Sequence, residues 1–89
     1  MVVPSTLGVA VRVTFCAVDT VISVTCAQNI IVLKTASGMA QAVAVAIDRV
    51  SDPMILGSVA GDDTIIVVVP DAEAAQSVAA KLKKHLSID

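Results

Sequence analysis

Ile55-Leu56-Gly57-Ser58-Val59-Ala60-Gly61-Asp62-Asp63-Thr64-Ile65-Ile66-Val67-Val68-Val69 reads as two β-strands folded back on a Gly-Asp-Asp turn. β-branched residues dominate the second arm, and a glycine followed by two aspartates is turn chemistry. The run Ile65–Val69 is apolar throughout, which predicts a central strand buried on both faces. Pro70 stops it. The turn is also electrostatically uncomfortable, because neighbouring carboxylates repel until a cation approaches. The chain has only eight acidic residues, and two of them stand together here. The loop is therefore a candidate cation site.

Upstream, Val21–Thr25 and Ile30–Thr35 are β-branched runs separated by Cys26-Ala27-Gln28-Asn29, which predicts another hairpin. A helix is expected from Ser37-Gly38 onward, with Ser37 as its N-cap. Within it Met39, Val43, Ala46, Ile47 and Val50 recur at the spacing of one buried face. Asp52-Pro53 ends it. Downstream, Asp71 caps a last helix whose buried stripe is Ala75, Val78, Ala79, Leu82 and Leu86. Its late cations Lys81, Lys83, Lys84 and His85 complement the helix dipole.

The order is hairpin, helix, hairpin, helix. That predicts an α+β fold of two layers, a four-stranded antiparallel sheet with both helices on one face. The opposite sheet face is then bare, a natural place for subunits to meet. Residues 1–8, with Pro4 and Gly8, read as a flexible leader ahead of a single domain over 9–89. Residues 9–20 fit strand alternation at Val9, Val11 and Val13, and a helical face at Val11, Phe15 and Val18. The second half favours a short N-terminal helix.

Composition bounds the function. The chain has 89 residues, 56% of them apolar and 16% charged, with Phe15 as its only aromatic ring. So small a domain cannot hide that much apolar surface alone, which predicts a homo-oligomer. Every hydrophobic run is broken well short of the roughly 20 residues a membrane span needs. The start lacks the cationic segment of a signal peptide, and Cys16 and Cys26 match no common metal or redox spacing. They are expected to be reduced thiols in a cytoplasmic protein. A net charge of −2 without a basic stripe argues against direct nucleic-acid binding by this chain.

Gln41 and Asp48 are seven residues apart on the predicted middle helix, hence on one side of it and about 10.5 Å apart along the axis. With Asp62 and Asp63 they supply three carboxylates and one amide. A hard-metal site of Asp48, Asp62 and Asp63 is chemically conceivable, since magnesium and calcium choose oxygen ligands. It would still lack a nucleophile or base. His85 is the only histidine and sits at a helix end, and there is no phosphate-cradling glycine loop. No enzyme and no cofactor are expected.

The stretch from Asn29 to Arg49, followed by Ile55-Leu-Gly-Ser-Val-Ala-Gly-Asp-Asp-Thr-Ile65, resembles the C-terminal domain of bacterial arginine repressors over roughly residues 21–86. The pattern L-G-[ST]-[IV]-A-G-D-D-T-I is specific to that family, and the G-x-A-Q-x6-D spacing from Gly38 to Asp48 supports it independently. The resemblance implies the same four-stranded, two-helix fold. It also implies trimers that pair into hexamers, with L-arginine at the trimer–trimer interface as the only ligand. Ligand roles carry over to Gln41, Asp48, Asp62 and Asp63, with backbone contacts around Ala40, Ser58 and Ala60. Asp62 is favoured for the guanidinium across the interface, and Asp63 for the amino group.

The chain departs from the family at its first hairpin turn, where the pattern is D-x-S-G-N and here Cys26-Ala27-Gln28-Asn29 stands. The basic winged helix-turn-helix of a full repressor also has no counterpart in these residues. The expectation is an arginine-sensing oligomerisation domain, serving regulation of arginine biosynthesis in a longer parent that contacts operator DNA. The alternative is a ligand-independent assembly module whose aspartates are only turn residues.

Overall fold

The computed structural model of the chain describes residues 20–86. The flexible leader and the short N-terminal helix expected within residues 1–20 fall, but for Thr20, outside the described residues. Six elements follow in order: β1 (Val21–Ala27), β2 (Ile30–Thr35), α1 (Ala40–Asp48), β3 (Gly57–Ala60), β4 (Thr64–Val68) and α2 (Ala72–His85). All strand pairings are antiparallel and the order across the sheet is β1-β2-β4-β3. The expected α+β architecture is the observed one. The two hairpins merge through β2 against β4, so the most apolar strand lies in the interior of the sheet.

Register explains the layers. Val24, Leu33, Ile65 and Ala60 form one row across the sheet, and Cys26, Ile31, Val67 and Ser58 form another. Within these rows Ile31, Leu33, Ile65 and Val67 are fully buried beneath the helices. α2 packs chiefly over β1 and β2, while α1 covers β3 and β4. Their inner faces close the core with Ala40, Val43, Ala46 and Ile47 from α1, and Ala75, Val78, Ala79 and Leu82 from α2. Burying such aliphatic side chains stabilises by about 1.5–3 kcal/mol each, before chain entropy is subtracted.

β4 is central, yet it is not buried on both faces as its composition predicts. Ile65, Val67 and Val69 are fully buried, whereas Ile66 is 41% exposed. The alternate residues form the row Thr25, Val32, Ile66 and Val59 on the face that carries no helix. Val59 there is 71% exposed. Both helices lie on one side, so a uniformly apolar strand must leave half its side chains uncovered.

Two local expectations also change. The helix expected from Ser37 begins at Ala40, with Met39 at the cap position and no side-chain cap. Gly38 has φ +79°, a left-handed turn that a residue with a Cβ adopts only under strain. The chain therefore bends there, and Ala40 N–H donates to the Asp62 carbonyl at 3.2 Å. A loop carbonyl thus takes a helix N–H that Ser37 was expected to satisfy. By contrast Asp71 caps α2 as expected, accepting from Ala74 N–H at 2.7 Å.

Candidate functional site

The Asp62-Asp63 turn is held from two sides. Gly61 N–H donates to Thr64 O at 2.8 Å and closes a two-residue hairpin loop. Such loops usually draw on left-handed residues, and neither aspartate has positive φ. The main chain compensates: besides the Ala40 contact, Thr35 N–H donates to Asp63 O at 2.8 Å. The loop is thereby fastened to the end of β2 and the start of α1, with both carboxylates exposed to solvent.

The two aspartates have different surroundings. Asp63 accepts from the Thr64 hydroxyl at 2.9 Å and lies 3.6 Å from Lys34 Nζ. The Thr64 hydroxyl, and next the Lys34 ammonium, hold its carboxyl below the ordinary carboxylate range. Asp62 accepts from the Ser37 hydroxyl at 3.0 Å. Among the described residues no cation lies within ion-pair distance of Asp62. Lys34 and Thr64 were not singled out from sequence, and Ser37 was read only as a helix cap. Lys34 is the one charged residue of β2, a signal that it points away from the core. Its partner, however, comes from a strand 30 residues away.

Gln41 follows Ala40 on the first turn of α1, so it stands at the end of that helix held by the Asp62 carbonyl. Asp48 is at the opposite end. Both are exposed, as is Val45 between them on the same stripe. β3 runs beside α1, with Ala60 leading into the aspartate loop and Ser58 toward Asp48. Asp48 and Ser58 line an open cleft of about 240 Å³ together with Ser51, Asp52, Ile47 and Ile55. The candidate residues are thus strung along the α1–β3 edge. Asp62, Asp63, Gln41, Ala40 and Ala60 gather at one end, and Asp48 and Ser58 at the other. Among the described residues no three acidic, histidine or cysteine side chains converge as a metal site would require. The three aspartates considered for a hard metal are at opposite ends of a helix.

Asp52 is a polar residue that sequence reading took only as a helix stop. Its side chain is nearly buried, accepts from Lys81 Nζ at 2.6 Å, and also accepts from Met54 N–H at 2.8 Å. Lys81 first, then the Met54 amide, lowers its pKa. The pair ties the loop after α1 to α2. Lys81 was expected to serve the helix dipole, and this contact gives it a specific partner. Cys26, the described cysteine, is a free thiol that donates to Ala75 O at 3.4 Å. No described helix is long and apolar enough to cross a membrane.

Comparison with known proteins bears on this arrangement. A family model described as the arginine repressor C-terminal domain matches residues 17–84. The chain is 52% identical over 56 residues to an arginine repressor of Solibacter usitatus, covering 63% of this chain and 39% of that protein. It is 45% identical over 69 residues to one from Carboxydothermus hydrogenoformans, covering 78% and 46% respectively. A third, from Alkaliphilus metalliredigens, is 46% identical over 66 residues, covering 74% and 44%. The chain spans less than half the length of these curated relatives.

Proposed function

The chain belongs to the arginine repressor family, matching its C-terminal domain, and on that premise we propose that it senses L-arginine and assembles with copies of itself within a transcriptional regulator. The observation that carries the reading is Asp62: an exposed carboxylate on a loop fastened to the start of α1, where Gln41 stands, with no cation within ion-pair distance among the described residues. Guanidinium is a planar fork that pairs bidentately with a carboxylate, a geometry that a lysine ammonium does not copy.

Assembly then proceeds at two levels. The bare sheet face around Val32, Ile66 and Val59 is apolar and associates copies into trimers by the hydrophobic effect. The aspartate loops of two trimers meet and repel. Arginine neutralises that charge, its guanidinium held by Asp62 of one trimer and its amino and carboxylate groups held on the other. Gln41, Asp48 and Asp63 are the side chains proposed for this, with main-chain contacts at Ala40, Ser58 and Ala60. Ligand binding is thereby linked to hexamer formation. The reading needs no catalytic residue and no cofactor. Operator contact and control of arginine biosynthesis belong to a longer parent protein, with this chain as the effector domain.

Sedimentation velocity with and without L-arginine, alongside calorimetry, tests the proposal. A shift from trimer toward hexamer with measurable arginine binding is expected. Citrulline, the neutral near-isostere, should bind poorly, and Asp62→Asn should weaken arginine binding roughly tenfold or more. Unaltered assembly and no heat of binding would instead favour a ligand-independent assembly module. Equal affinity for citrulline would remove the charge mechanism.

A further inference from the structure

The arginine reading gives the two loop aspartates different groups of the ligand, and among the described residues the fold supplies a cation to only one of them. Lys34 and Thr64 are direct cross-strand partners in the β2–β4 register, so their side chains stand on the same sheet face as neighbours. Lys34 Nζ donates to the Thr64 hydroxyl oxygen at 2.6 Å, and that hydroxyl donates its proton to Asp63 Oδ1 at 2.9 Å. The ammonium also lies 3.6 Å from the same carboxylate oxygen. A hydroxyl that accepts from a cation becomes a better donor, so both contacts act in one direction. Asp62, adjacent in sequence, receives the neutral Ser37 hydroxyl and, among the described residues, no cation.

We propose that Lys34 is the positioning residue of this site: by occupying Asp63 through Thr64, it leaves Asp62 as the carboxylate open to an incoming guanidinium. Each copy then presents one uncompensated loop charge to the assembly interface rather than two. The consequence is twofold. The charge that each apo loop brings to the interface is halved, so the repulsion between facing loops falls further still, and the guanidinium meets one defined acceptor instead of two equivalent ones. The pair is half exposed, with side-chain accessibilities of 46% for Lys34 and 51% for Asp63, so it contributes little to stability. Its effect is on which carboxylate is available.

This inference rests on the arginine reading for its ligand, but part of its test does not. Carboxyl-carbon NMR titration of Asp63 needs no ligand. In the unmodified chain Asp63 should titrate below the ordinary carboxylate range. Lys34→Met should raise its midpoint, and Lys34→Arg should restore it. An Asp63 midpoint indifferent to Lys34→Met overturns the proposal whatever arginine does. Calorimetry supplies the second readout. Asp62→Asn should weaken arginine binding roughly tenfold and Asp63→Asn no more than about threefold in the unmodified background. In the Lys34→Met background the two losses should become similar, because Asp63 is then also open. Equal losses in the unmodified chain overturn the assignment. Absence of arginine binding by the unmodified chain, with the titration behaving as expected, refutes the arginine reading and leaves the role of Lys34 in sorting the two carboxylates standing.

Discussion

At the residue scale, the first hairpin turn carries a visible compromise. Gln28 sits at φ +59°, a conformation that costs a residue with a Cβ roughly 1 kcal/mol and glycine almost nothing. The family pattern that this chain resembles places glycine just before the asparagine, at this position. Asn29 is tied down there, since its side-chain amide donates to Val69 O at 3.2 Å and its main-chain carbonyl accepts from Val69 N–H at 3.1 Å. Gln28→Gly is therefore expected to stabilise the fold by about 0.5–1 kcal/mol, read as a raised midpoint in urea with an unchanged slope. Unchanged or lowered stability would mean that the Gln28 side chain makes a compensating contact in the assembled protein. The same turn shows what local pattern conveys. Cys26-Ala27-Gln28-Asn29 announces a reversal of the chain, but β1 continues to Ala27 and only Gln28 and Asn29 form the turn.

At the element scale, the two helices are held by different means. α1 is short, lacks a side-chain cap, and is fixed at its start by the Asp62 carbonyl and at its far side by packing on β3 and β4. α2 is longer, carries its own Asp71 cap and basic last turn, and reaches the loop after α1 through Lys81 and Asp52. That ion pair gives a signed pH dependence. The folded Asp52 carboxyl is held below its ordinary value of 3.8. Its stabilising contribution is therefore fully present above that value and is lost as pH falls through the lower, folded one. Asp52→Asn should lower the melting temperature at neutral pH, and the gap to the unmodified chain should close in acid below about pH 4. Thermal melts across pH 3–7 check this. A gap that persists undiminished at low pH would assign the loss to packing rather than to the charge. Sequence could not show this pair, because Asp52 reads equally well as part of an Asp-Pro helix stop and its partner lies 29 residues away.

At the scale of the whole molecule, the uncovered sheet face is the main consequence of the topology. Placing α1 and α2 on one side leaves Val32, Ile66, Val59 and Val68 on the other, on strands that are otherwise core material. Ile66→Lys should preserve the fold, since Ile66 is 41% exposed in the single chain, while preventing trimer formation at micromolar concentration. Circular dichroism with sedimentation equilibrium separates the two effects. An Ile66→Lys protein that still forms trimers would show that copies meet elsewhere. Ile65→Ala, one residue away but facing the helices, should instead cost about 2–5 kcal/mol of folding stability. Neighbouring isoleucines of one strand thus have opposite roles, and the strand Ile65–Val69 conceals this because its composition does not alternate. Sequence by itself determined the element order, the antiparallel hairpins, the buried stripe of α2 and the presence of an exposed acidic turn. Each of these depends on local periodicity or turn chemistry. The element order also implied one bare sheet face, but tertiary structure alone decided which residues of β4 line it and that the start of α1 is tied to the Asp62 carbonyl. It also decided that Lys34 reaches Asp63, while among the described residues no cation lies within ion-pair distance of Asp62. These depend on the register between β2 and β4, elements distant in the chain, and pairwise contacts across such a register leave no pattern in the order of the residues.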